Sequence, residues 1–104
     1  MDKDAVLKTI RQFKKALESI NIIVEQLILF GSHAANTARE YSDIDLIVIS
    51  PSFSNMGYWE RIDILTEAIY QVFAPIEATA FTPEEWKNEK SLIVDYAKNG
   101  VLVT

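Results

Sequence analysis

Two aspartates at the mouth of an otherwise apolar strand constrain this chain more than any other feature. The stretch from Leu27 to Ser50 reads as an apolar strand, an abrupt Gly31-Ser32 turn, a short polar connection, and a second strand opening with Asp43 and Asp45 before Leu46-Ile47-Val48-Ile49. Residues two apart on a strand point to one face, so the carboxylates stand side by side. Aspartate is poorly suited to strands, and adjacent carboxylates repel and raise a pKa unless a cation lies between them. Hard oxygens so placed suit magnesium, which takes its other ligands from water and phosphate. Gly31-Ser32, between a strand and a helical turn, can supply the phosphate side. Glycine lets backbone approach a ligand closely, and the first turn of a helix offers unpaired N–H groups to an anion.

Each half alone has a plainer explanation. An Asp-x-Asp is commonly a solvated strand edge, and a Gly-Ser is commonly a turn. Their conjunction is more specific, because the flanking strands fix where both groups sit. Gly31-Ser32, ten residues, then Asp43-Ile44-Asp45 resembles the signature of the DNA polymerase β nucleotidyltransferase superfamily. More narrowly, the chain resembles the minimal nucleotidyltransferases (MNT proteins), small domains often encoded beside a HEPN-domain partner. The likeness extends to Ser42 before the first aspartate, the Ile-Glu-containing strand at 76–81, the Thr82-Pro83-Glu84-Glu85 helix start, and Gly100-Val101. It departs at His33, where many relatives carry arginine, and at Ala35-Asn36, where Arg-Gly is common. Those differences bear on phosphate contacts rather than on the fold.

The resemblance implies an α/β (α+β) nucleotidyltransferase fold: a small mixed sheet of three core strands, with room for a short C-terminal edge strand, flanked by helices. Periodicity agrees. Val6, Ile10, Phe13, Leu17 and Ile20 predict a first helix over about Lys3–Ser19 with one apolar stripe. The basic residues Lys8, Arg11 and Lys15 on another face read as a solvated stripe. A strand including Leu27–Phe30 follows, then one helical turn at His33–Thr37 and the second strand. After a Pro51–Asn55 loop, a long helix is expected over Gly57–Phe73, with Trp59, Ile62, Leu65, Ile69, Val72 and Phe73 facing inward. Ala74-Pro75 stops it, and a third strand occupies Ile76–Phe81. A helix between two strands makes them parallel neighbours through a right-handed crossover. The short link between the first two strands suits an antiparallel pair. Thr82, Pro83 and Glu85 form a capping box. That role accounts for the glutamates there without catalysis. The last helix is expected to end near Asn99-Gly100, with an edge strand at Val101–Val103.

Nucleotidyl transfer needs divalent metal to hold a triphosphate and an attacking hydroxyl, with room for two ions. Glu77, opening the neighbouring strand, is the candidate third carboxylate beside Asp43 and Asp45, as catalytic residue and metal ligand. Its alternative is a plain exposed strand residue. Gly31, Ser32, His33, Arg39 and Ser42 are the candidate nucleotide- and phosphate-binding residues. Arg39 can reach a phosphate bidentately or pair with Glu40 or Asp43, and Ser42 can simply shape the turn. Tyr41, Tyr58 and Trp59 can stack on a base or serve packing.

The 104 residues suit one domain with a real core, spanning 1–104. A net charge of −5 argues against nucleic acid as principal partner. The absence of cysteine rules out disulfides and cysteine-based zinc sites. MDKDAVLK has no apolar signal core, and no apolar run reaches membrane-spanning length, so a cytoplasmic protein is expected. The resemblance adds ATP as substrate, Mg2+ as cofactor, and a HEPN-domain toxin whose tyrosine accepts AMP, with this chain as antitoxin in a homo- or hetero-oligomer. The competing reading is a vestigial binding module that neutralises its partner by occlusion. An antibiotic-modifying transferase would need an added substrate domain.

Overall fold

The computed structural model describes residues 2–39, 42–88, 97 and 100–104. The first helix, α1 (Lys3–Ser19), starts where the Asp2 carboxylate accepts a 2.8 Å hydrogen bond from the Ala5 N–H, an N-cap that satisfies one orphan donor of the first turn. Its apolar stripe is buried as expected: Val6, Ile10, Phe13 and Leu17 join the main core. Each such side chain contributes about 1.5–3 kcal/mol through burial. Lys8, Arg11 and Lys15 are exposed. Asn21, with φ of 69°, turns the chain out of the helix, a conformation asparagine tolerates.

Four strands form one sheet in the order β3-β2-β1-β4. β1 (Gln26–Phe30) pairs antiparallel with β2 (Ile44–Ile49), and β2 pairs parallel with β3 (Ile76–Phe81). β4 (Val101–Leu102) supplies the edge strand, antiparallel to β1. Alternation along the strands sorts two faces. Leu27, Leu29, Leu46, Val48 and Ile76 pack against α1 and α3 (Tyr58–Val72). Ile28, Ile47, Ile49 and Phe81 point the other way and are covered by Ala97 and Trp86. Asp45 and Glu77 belong to this second face, at the end of the sheet where β2 and β3 begin.

Three boundaries differ from expectation. The helical turn, α2 (Gly31–Ala34), begins directly after the strand's last residue rather than at His33, because Gly31 adopts φ of 73° and lets the chain turn at once. Asp43 precedes β2, so only Asp45 is a strand residue; the preceding loop is anchored instead by the Ile44 N–H donating to the Pro75 carbonyl at 2.8 Å. In α3, Trp59 and Phe73 are exposed, not inward. The buried line is Leu65 and Ala68, with Ile64, Ile69 and Val72 packed beside it. Trp59 lies about 120° round the helix from Leu65, and Phe73 falls beyond the last helical residue in a left-handed cap.

The capping box is present in both directions: the Thr82 N–H donates to Glu85 Oε1 at 2.8 Å and the Glu85 N–H to Thr82 Oγ at 3.1 Å, opening α4 (Pro83–Asn88). Arg61 of α3 donates to both Glu85 oxygens, at 2.6 and 3.0 Å, and to the carbonyls of Phe53 and Met56. One guanidinium thus joins α3, α4 and the loop after β2. The end of the last helix at Asn99 lies outside the described residues. Gly100 has a packing role: a Cβ there would come 2.7 Å from both Ile28 Cγ2 and the Leu29 carbonyl oxygen.

Candidate active site

The parallel register sets Asp45 directly opposite Glu77, while the antiparallel register sets it opposite Phe30. Each carboxylate is the second residue of its strand, so both rise from the same face and the same sheet end. Their side chains are close enough for Glu77 to act on the Asp45 carboxyl through a shared proton. Partial burial pushes the Asp45 carboxyl up from 3.8 to about 6, reinforced by the Glu77 bond and by the negative charges of Glu77 and Asp43; His33 opposes the rise. Asp43 stands exposed just ahead of the strand, near enough for its charge to be felt.

Gly31 completes this corner. A Cβ built on it would collide with the Asp45 carboxylate and lie 3.2 Å from its Cγ. Bare backbone therefore packs where any side chain would displace Asp45. Sequence reasoning gave Gly31 a ligand-facing role and missed this contact; its signal was a lone glycine directly after an apolar strand. His33 Nε2 lies 3.1 Å from the Ser42 carbonyl, which can only accept, so this nitrogen carries the proton. The contact ties α2 to the loop entering β2. Ser42 closes a turn, its Oγ accepting from the Arg39 N–H at 2.8 Å and its own N–H donating to the Arg39 carbonyl at 3.0 Å. That is the turn-shaping role. The Arg39 residue is exposed; the sole ion pair among the described residues is Arg61–Glu85, so Arg39 does not pair with Asp43, and Glu40 and Tyr41 lie outside those residues. The Ser32 carbonyl accepts from the Thr37 N–H at 2.9 Å. Tyr58 and Trp59 sit on α3, on the helix layer of the opposite face. A cavity of about 210 Å³ adjoins His33, lined also by Lys3, Val6, Leu29, Ala34 and Ala38; nothing in the sequence pattern indicated it.

No three His, Cys, Asp or Glu side chains among the described residues are gathered closely enough to hold a metal ion. The donor chemistry nevertheless fits a hard divalent cation. Two carboxylates in contact, with a third nearby and one of them driven toward its protonated form, are the arrangement a cation would relieve.

The family model described as a nucleotidyltransferase domain matches residues 10–100. This chain belongs to the nucleotidyltransferase domain family. Membership bears out the resemblance carried by Gly31-Ser32 and Asp43-Ile44-Asp45, and it gives the chain a role of the nucleotidyltransferase kind. Two solved structures share its fold. A Sulfolobus solfataricus protein assigned as a nucleotidyltransferase superposes with a TM-score of 0.73 at 20% identity, covering 96% of this chain and 80% of its own. A toxin–antitoxin structure with AMP-PNP superposes at 0.65 and 15% identity, covering 90% and 71%. At such identities the likeness concerns the fold. None of the curated proteins compared matches the chain. No helix among the described residues is long and apolar enough to cross a membrane.

Proposed function

We propose that residues 1–104 act as one cytoplasmic domain that transfers AMP from ATP to a hydroxyl of a partner protein, a tyrosine of a HEPN-domain toxin. The observation that carries this reading is the contact pair of Asp45 and Glu77 on neighbouring strands, with Gly31 backbone packed against it. Family membership supports the reaction class, and the structural relative solved as a toxin–antitoxin with AMP-PNP supports a protein partner and a triphosphate. The HEPN identity and the tyrosine rest on the sequence resemblance alone.

In this reading Asp43, Asp45 and Glu77 would hold magnesium. When bound, the ion would neutralise the carboxylates and polarise the phosphate. Gly31 and Ser32, with His33, Arg39 and Ser42 around them, line the phosphate side. The acceptor oxygen attacks the α-phosphorus, the bond to the bridging oxygen breaks, and pyrophosphate leaves with that electron pair. The acceptor's proton passes to a site carboxylate or to water.

The test mixes the chain with the protein encoded beside it, magnesium and ATP, and reads intact mass. One adenylyl group should appear on the partner, on tyrosine. Glu77→Gln should slow transfer by about 10²-fold or more, the scale of losing one group that stabilises transition-state charge, while partner binding persists. A partner of unchanged mass, inhibited stoichiometrically, would instead establish occlusion; near-normal transfer by the glutamine variant would return Glu77 to a strand-surface role.

A further inference from the structure

The outward face of α3 carries large aromatic side chains where a solvent-facing helix is ordinarily polar. Trp59 and Tyr70 are 74% and 77% exposed, and their spacing of three helical turns puts them on one line. Tyr58, 70% exposed, stacks edge-on against Trp59 with ring centroids 5.0 Å apart. Phe73, 87% exposed, follows at the helix's C-terminal end. Four aromatic side chains at such exposure present about 500–600 Å² in total, spread along α3 with Asp63, Thr66 and Glu67 exposed between Trp59 and Tyr70.

Phe73 is informative for a second reason. It has φ of 57° and ψ of 51°, the left-handed cap position that helices give to glycine and that is an outlier for a bulky side chain. At this exposure the ring adds little packing that would offset the backbone strain.

Charge decides what kind of surface would cover it. Glu60, Asp63 and Glu67 are all exposed on α3, and none has an ion-pair partner among the described residues. The aromatic line is therefore edged by three carboxylates, on a chain of net charge −5. A two-fold dimer through this face would bring six carboxylates together, and an anionic membrane would be repelled likewise. We infer that the outward face of α3 docks a helix of a different protein, one whose apolar stripe is flanked by lysine and arginine. The area matches a modest interface.

The position of the ridge deepens the proposed function, and this half rests on it. From Phe73 the chain runs through Ala74-Pro75 into β3, so the Glu77 Cα lies within about 14 Å of the Phe73 Cα by chain length alone. A partner held along α3 would have one end at the end of the sheet where the carboxylates rise from the other face, and its acceptor would reach them round that end.

A synthetic helical peptide with leucine on one face and lysine on both flanks is the probe, titrated into Trp86→Phe protein so that emission reports Trp59. The expected result is binding with a shift to shorter wavelength, weakened with rising salt. Trp59→Ser with Tyr70→Ser should weaken it tenfold or more, as should Glu60→Gln with Asp63→Asn and Glu67→Gln. Phe73→Gly should raise the melting temperature while weakening the peptide. Asp43→Asn with Asp45→Asn should lose magnesium–ATP and bind the peptide normally, so failure of the docking surface is separable from failure of the catalytic reading. The inference is overturned by equal affinity for a glutamate-flanked peptide, by undiminished binding after the aromatic substitutions, or by no binding. A wild-type dimer in sedimentation that Trp59→Ser abolishes, or binding to phosphatidylglycerol vesicles, would overturn it in favour of a second copy or a membrane.

Discussion

Asparagine at position 45 should make the metal-free chain more stable at neutral pH and above. The Asp45 carboxyl, ordinarily at 3.8, is pushed to about 6 by partial burial first, then by its bond to Glu77 and the charges of Glu77 and Asp43. Because the folded value lies above the unfolded one, the folded state holds the proton more tightly. The stability this brings is fully present below pH 3.8 and is lost as the pH rises through 6. Fully converted, the shift is worth about 3 kcal/mol. Asp45 is only partly withdrawn from water, and solvent screening reduces that to about 1–2 kcal/mol. Asparagine has nearly the same shape, carries no charge, and offers Glu77 an N–H donor at every pH.

The assay is urea unfolding in EDTA, followed by far-ultraviolet circular dichroism at pH 4 and pH 8. At pH 8 the variant's midpoint should lie roughly 0.5–1 M higher; at pH 4 the two proteins should nearly coincide. Magnesium should then raise the midpoint of the wild type and leave the variant unmoved. A variant less stable at pH 8, or a difference that does not change with pH, would refute the reasoning, since either result would mean that ionised Asp45 does not destabilise the folded chain.

Two further substitutions probe the scaffold around the site. Gly31→Ala combines a left-handed backbone with a Cβ driven against the Asp45 carboxylate, and should cost about 1–3 kcal/mol in the same unfolding assay; an unchanged midpoint would show that the turn can begin elsewhere. Glu85→Ala removes both Arg61 bonds and the return bond of the capping box, at a cost of about 1–2 kcal/mol after allowance for the exposure of that carboxylate. Arg61 holds the Glu85 carboxyl below its ordinary 4.5, so this contribution is present above that value and fades in acid; a cost independent of pH would assign it to packing instead.

The sheet was legible because its signals are local. Apolar runs at Leu27–Phe30 and Leu46–Ile49, a helix-length crossover before Ile76–Phe81, and a short link between the first two strands are enough to set both pairings. The same logic brings Glu77 near the aspartates as the opening of a neighbouring parallel strand, but the register that sets it opposite Asp45 follows from β2 beginning at Ile44. The contact of His33 with the Ser42 carbonyl was not legible, because it depends on where a nine-residue excursion returns. Nor was the immediate start of α2, which rests on the backbone angle of a single glycine. Asp43 was read as a strand residue from its spacing to Asp45, but the loop from Pro75 holds Ile44 and leaves Asp43 outside the ladder.

Helix α3 shows why hydrophobicity alone misreads an element with two uses. Its sequence, YWERIDILTEAIYQV, carries apolar residues at nearly every angle, so a search for one inward stripe gathers Trp59 with Leu65 although they lie about 120° apart. The core takes the side holding Leu65 and Ala68, where α3 meets α1 and the sheet, and the aromatics are left outside. The distinguishing sign in the sequence is which polar residues accompany each stripe. Asp63 and Glu67 fall between Trp59 and Tyr70 along the chain and on their side of the helix, where burial would leave both carboxylates uncompensated. Only Arg61 falls on the core side, and it is neutralised by Glu85 and satisfied by two carbonyls. An apolar stripe interleaved with acids that have no ion-pair partner among the described residues suits the proposed basic partner, and one crossed by a fully bonded arginine suits the core.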